Sequence, residues 1–113
     1  VGLYSLDFYQ NISRILAEDG MMIAQSESPL FYQDIFQSIY RNIRAVYPIA
    51  RVYLGSVPTY VAGPWSFTAG SKKYDPSKII DDSTMISGLQ YYNREIHRAA
   101  FCLPPYIEQL LRK

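Results

Sequence analysis

Tyr60 and Trp65 carry the chemistry-bearing part of the stretch Ser56-Val57-Pro58-Thr59-Tyr60-Val61-Ala62-Gly63-Pro64-Trp65, a proline-stiffened turn between two strand-like runs. A phenol and an indole held on such a turn can wall a site for a small polar molecule, the rings supplying apolar area and the O–H and N–H supplying direction. Upstream, Gln25-Ser26-Glu27-Ser28 follows an apolar run and adds a carboxamide and a carboxylate. An alkyl amine suits this set. Its nitrogen would meet the amide and carboxylate while its carbon chain lay along the rings, with cation–π attraction worth about 0.5–2 kcal/mol once desolvated. Plainer readings stand beside this one. Tyr60 and Trp65, in a chain with 11 tyrosines, read equally as packing area. Gln25 and Glu27 read equally as partners for the N-terminal amides of the next helix.

Other chemistries find little support. His97 is the only histidine, so no metal-ligand cluster or Cys–His pair follows from spacing, and it reads as a helix-packing residue. Asp81 and Asp82 read as solvated loop acids. The 6 glycines are dispersed, without a Gly-rich phosphate loop, and no G-x-S-x-G elbow occurs. The 11 basic residues form no stripe and the net charge is +1, which argues against a nucleic-acid partner. A hydrophobic fraction of 49% against 19% charged excludes the composition of a disordered chain. Cys102 stands alone in an apolar run, so no internal disulfide is available and a reducing, cytoplasmic setting fits. No apolar run approaches the roughly 20 residues that span a bilayer, and no signal-peptide pattern opens the chain.

The elements that must position these residues can be read from periodicity. Phe8, Ile12, Ile15 and Leu16 follow helical spacing, with Ser5 placed to cap and Gly20 to stop, predicting a helix from about 5 to 18. Met21-Met22-Ile23-Ala24 is apolar without alternation, as in an interior strand covered on both faces. Pro29 can open a second helix, whose stripe of Phe36, Ile39, Ile43 and Val46 runs until Pro48. Ile49 to Ser56 reads as a strand parallel to the first, joined to it by the helical crossover. Trp65 to Ala69 alternates with period two and follows too short a connection for another crossover, so it must run back against the others. Lys72 to Gly88 reads as a surface excursion, and helices follow over 91–101 and 105–111.

This order predicts an α/β fold, with residues 1–113 forming one domain of modest core. Ligands of open α/β sheets bind beyond the carboxyl ends of parallel strands. Gln25, Ser26 and Glu27 leave one such end, and Tyr60 and Trp65 lie on the turn after the other. All are expected on one edge of the sheet.

The ordered set Leu3-Tyr4-Ser5-Leu6-Asp7-Phe8-Tyr9, Ala17-Glu18-Asp19-Gly20, Gln25-Ser26-Glu27-Ser28, Val57-Pro58-Thr59-Tyr60, Gly63-Pro64-Trp65, Gly70-Ser71-Lys72, Tyr91-Tyr92-Asn93 and Phe101-Cys102-Leu103-Pro104 resembles the C-terminal half of the spermidine synthases, which are aminopropyltransferases. The resemblance implies the last three strands of a Rossmann-like methyltransferase-type domain, two parallel and the last antiparallel, with flanking helices, so that 1–113 is a partial domain. It implies transfer of an aminopropyl group from decarboxylated S-adenosylmethionine to putrescine, giving spermidine and methylthioadenosine. It further implies no cofactor beyond that co-substrate and a homo-oligomer, while the absence of a metal and of a membrane span is expected from the residues themselves. Tyr60 matches the family tyrosine that hydrogen-bonds the attacking amine, Gln25 a glutamine of the same pocket, and Trp65 an aromatic lining the putrescine slot. Glu27 matches the same pattern. By the resemblance the catalytic aspartate and the nucleoside-binding acids lie upstream of Val1. The Val-Gly start without Met then suggests a truncated or cleaved product, inactive alone. Where the family places proline after the tyrosine, Val61 stands here, loosening the turn. Three alternatives stay open: another amine acceptor, a methyltransferase, and a non-catalytic module that self-associates through the edge of its first strand.

Overall fold

In the computed structural model, which describes residues 4–60, 63–79 and 86–112, Ser5 caps the first helix as its position predicts. Its Oγ accepts from the Phe8 N–H at 3.2 Å, and α1 runs Leu6–Ile15. The helix stops short of residue 18 because Leu16 turns extended (φ −80°, ψ 148°). Gly20 is not its stop signal. The Lys72 ammonium instead donates to the carbonyls of Ser13 (2.6 Å) and Leu16 (2.9 Å), satisfying acceptors at the negative end of the helix dipole.

The strand β1 (Met21–Gln25) leads to a turn that contains Pro29, and α2 (Gln33–Val46) begins only after it. Ser28 Oγ accepts from Leu30 N and Phe31 N, both at 3.3 Å, and so organises this turn. The strands β2 (Ile49–Gly55) and β3 (Trp65–Ser71) complete a three-stranded sheet of order β1-β3-β2. The last strand does run back, but between the other two. β3 pairs antiparallel with both neighbours, so β1 and β2 point the same way without sharing a hydrogen bond. The expectation of an interior first strand is corrected accordingly: β1 is an edge of this sheet, half-buried at Met22 and Ala24 but exposed at Met21 and Ile23. An apolar run reports what a strand can bury, not how many neighbours it has.

The registers Met22↔Gly70↔Ala50 and Ala24↔Thr68↔Val52 build the face that meets α1, α2 and a C-terminal helix, α4 (Pro105–Arg112). Tyr9, Ile39, Ile43, Tyr47 and Ala50 form one buried cluster there, and Phe36, Val52, Ile107 and Leu110 a second. Each fully buried aliphatic or phenyl group contributes about 1.5–3 kcal/mol of transfer free energy. The opposite face carries Phe67 stacked on Tyr53 (5.1 Å), and Phe101 beyond it (5.1 Å), which seats α3 (Arg94–Ala100) against the sheet. This helix is shorter than the 91–101 expected because Asn93 caps it, its Oδ1 accepting from Ile96 N at 2.8 Å. His97 is a packing residue: its Nε2 lies 2.8 Å from the Pro76 carbonyl and its Nδ1 2.8 Å from the Tyr92 hydroxyl. The expectations for Val61, Asp81 and Asp82 lie outside the described residues. Among the described residues no helix is long and apolar enough to cross a membrane, and no group of three His, Cys, Asp or Glu stands together as a metal site.

Candidate functional site

Gln25 ends β1 and Trp65 begins β3, and because the two strands are antiparallel neighbours these ends coincide at one edge of the sheet. The Trp65 indole N–H donates to Gln25 Oε1 at 3.1 Å. Tyr60 reaches the same place from the turn after β2. A 2.9 Å bond from Tyr60 N to the Val57 carbonyl closes that turn around Pro58 and Thr59, and the Tyr60 ring lies 4.3 Å from the Trp65 ring at 40°. Trp65 is buried at 8% exposure while Tyr60 stays open at 42%, so the pair forms a wall with one solvent-facing side. The structure thus brings Gln25, Tyr60 and Trp65 together.

Glu27 reaches the edge by a local distortion. Ser26 N donates to the Ser66 carbonyl at 2.9 Å, but Ser66 N donates to the carbonyl of Glu27, not Ser26, at 3.0 Å. Two residues therefore face one across the ladder, a β-bulge of the kind that re-aims side chains. Glu27 adopts φ +70°, a left-handed conformation that costs a non-glycine residue about 1–2 kcal/mol. Its carboxylate Oε2 accepts from the Tyr4 hydroxyl at 3.0 Å. Burial, reinforced by that neighbouring carboxylate, holds the Tyr4 phenol above its ordinary pKa.

Ser26 turns away from the open side. It is fully buried and links to Thr68, whose Oγ1 lies 2.9 Å from Ser26 Oγ, and to Ser66 Oγ at 2.8 Å. Ser66 Oγ in turn donates to the Glu27 carbonyl at 2.6 Å. These three hydroxyls form a buried chain ending on the strained residue. Tyr4 and Ser66 carry no sequence signal for this role, since Tyr4 reads as a residue before a helix and Ser66 as the polar position of an alternating strand.

Two cavities lie beside the Tyr60 turn and the sheet, and neither is lined by Gln25, Glu27, Tyr60 or Trp65 themselves. One of about 480 Å³ runs under the turn, lined by Gly55, Ser56, Gly63 and Pro64 with Ile96 and Ala99 of α3. A larger apolar one of about 620 Å³ lies along the same sheet face, lined by Ile23, Tyr53, Phe67 and Phe101 among others. Chemically, the edge offers an aromatic wall, a fixed carboxamide and an exposed phenol, donors and acceptors that a small amine can use.

Known proteins resemble this chain along almost all of it. The family described as the spermine/spermidine synthase domain matches residues 1–82. A polyamine aminopropyltransferase of Caldicellulosiruptor saccharolyticus is 44% identical over 98% of this chain, and one of Moorella thermoacetica 45% identical over 98%. The chain spans 40% and 39% of those relatives' lengths. Two solved structures, spermidine synthase from Thermotoga maritima and spermidine synthase in complex with the transition state analogue AdoDATO, each superpose at TM-score 0.83 with 39% identity, over 97% of this chain and 39% of theirs. On these matches, the chain belongs to the spermine/spermidine synthase family.

Proposed function

We propose that this chain is the amine-binding part of an aminopropyltransferase that moves an aminopropyl group from decarboxylated S-adenosylmethionine to putrescine. The reaction is a displacement at carbon: the amine lone pair forms a C–N bond, the C–S bond of the sulfonium breaks, methylthioadenosine leaves, and the nitrogen releases a proton. Its demand on the protein is an uncharged amine aimed at that carbon. The observation that carries the reading is the meeting of Gln25, Tyr60 and Trp65 at one sheet edge. Tyr60 orients the attacking nitrogen through its hydroxyl, Trp65 walls the carbon chain, and Gln25 holds the polar end, with Glu27 on the same rim. The general base is an aspartate upstream of Val1, within a Rossmann-like domain of which this chain is part, and the 113-residue chain alone is inactive.

The test is methylthioadenosine release. The longer protein that carries this chain should release it from putrescine and the aminopropyl donor, while the isolated 113-residue chain should not. Release by the isolated chain overturns the placement of the base. Preference for another amine, or for S-adenosylmethionine over its decarboxylated form, reassigns the substrate. Tyr60→Phe should lower kcat/KM about tenfold or more if the phenol orients the nitrogen.

A second reading rests on the β1 edge. In an antiparallel ladder every second residue turns its backbone groups outward, and Met21 and Ile23 are exposed beside them. The isolated chain should therefore self-associate, and a monodisperse monomer at high concentration in light scattering would count against this.

A further inference from the structure

We infer that Tyr4 and Glu27 form a latch that positions the segment leading into α1 against the amine site, making both residues positioning residues for the transfer proposed above, on which reading the inference rests. Tyr4 is held at two points. Its carbonyl accepts from Asn42 Nδ2 of α2 at 2.9 Å, and its hydroxyl donates to Glu27 Oε2 at 3.0 Å. One anchor fixes the backbone immediately before the Ser5 cap, and the other ties the side chain to the edge that carries Gln25 and Trp65.

The Glu27 end of the latch is unusually determined. A residue at φ +70° persists only where its surroundings hold it, and here the Ser66 amide (3.0 Å) and the Ser66 hydroxyl (2.6 Å) both donate to its carbonyl. Ser66 is itself pinned by the buried hydroxyls of Ser26 and Thr68. A chain that needed only a turn after β1 had glycine available without strain. The strain is instead kept on a carboxylate, and the result is a charge-assisted hydrogen bond to a residue on another element. Through Oε2 the carboxylate holds the lead-in to α1, at the edge that carries the amine site.

The experiment uses the full-length enzyme that carries this chain, with Tyr4→Phe, Glu27→Gln and the double variant assayed against putrescine and the aminopropyl donor. The latch predicts that each single variant loses about tenfold in kcat with the putrescine KM within about twofold of wild type, since misplacement of reacting groups acts on the chemical step. It also predicts that the double variant is no slower than the slower single one, because both act on one contact, Tyr4→Phe by deleting its donor and Glu27→Gln by exchanging the charged acceptor for a neutral one. Melting temperatures confirm folding. If Glu27→Gln does not fold, Glu27→Asp, one methylene too short for the contact, should reproduce the kcat loss. Unchanged kcat in Tyr4→Phe, additive losses, or a raised KM at constant kcat in the Glu27 variants each overturn the latch. A wild-type enzyme that transfers no aminopropyl group overturns the functional reading instead.

Discussion

The indole N–H of Trp65 and the carboxamide oxygen of Gln25, 40 residues apart in sequence, meet at 3.1 Å across the β1–β3 pair. An indole nitrogen can only donate, so the amide must turn its oxygen to Trp65 and its NH2 elsewhere. An NH2 group seeks a lone pair, which an unprotonated amine offers and an ammonium does not. On the function proposed above, the contact would turn the Gln25 NH2 toward the polar end of a bound amine.

Trp65→Phe keeps most of the ring wall against Tyr60 but deletes the N–H, leaving the Gln25 amide free to rotate. One hydrogen bond of this kind is worth about 1 kcal/mol, so the KM for putrescine should rise about fivefold while kcat changes little. Steady-state rates on the full-length enzyme check this. A fall in kcat at constant KM would instead place Trp65 at the reacting atoms.

Tyr9 offers a stability test independent of the site. It is fully buried in the main core, and its hydroxyl has no hydrogen-bond partner among the described residues. Removing an unsatisfied buried donor recovers its desolvation cost, so Tyr9→Phe should stabilise the fold by about 1 kcal/mol. Burial, with a smaller contribution from neighbouring Tyr4, pushes the Tyr9 phenol up to about 12. The unfolded phenol ionises near 10, so the folded state holds the extra proton between these values. Stability is then complete below about pH 10 and falls as pH rises toward 12. Thermal unfolding across that window should show a shallower alkaline decline in the variant. Parallel curves would mean that the Tyr9 hydroxyl reaches water.

How much of this could be read in the sequence depended on the range of the interaction. The α2 stripe of Phe36, Ile39 and Ile43 and the Ser5 cap were legible because helical periodicity and capping are local. The meeting of Gln25, Tyr60 and Trp65 was legible because strand direction alone sends their ends to one edge. The end of α1 was not, since the ammonium that satisfies it comes from Lys72, 59 residues beyond Ser13. That β1 and β2 are not neighbours was hidden because β3 inserts between them. The contact between Tyr4 and Glu27 was hidden too, for it depends on a bulge at a glutamate, where no glycine marks the positive φ.

Gly70 sets how closely α2 approaches the sheet. A Cβ there would lie 2.6 Å from Tyr47 Cδ2 and 2.8 Å from Ile43 Cγ2, inside contact distance of two buried side chains. Neither can swing away without opening the core. Gly70→Ala should cost about 1–3 kcal/mol, read as a lower urea midpoint at unchanged slope. An unchanged midpoint would mean that α2 can shift to absorb a methyl group.

Lys72 stands at the far end of β3 from the candidate site, where it ties the last turn of α1 to the sheet. Lys72→Met keeps the aliphatic stem but removes the ammonium, leaving the carbonyls of Ser13 and Leu16 without their cation. Loss of charged hydrogen bonds at a helix C-terminus should cost about 1–2 kcal/mol in chemical unfolding. The damage should be local. Amide exchange should accelerate most in the last turn of α1, including Leu16, whose N–H bonds the Ile12 carbonyl at 3.1 Å, while the core of α2 keeps its protection relative to global stability. Uniform acceleration in both helices would show that Lys72 supports the whole fold instead of stopping one helix.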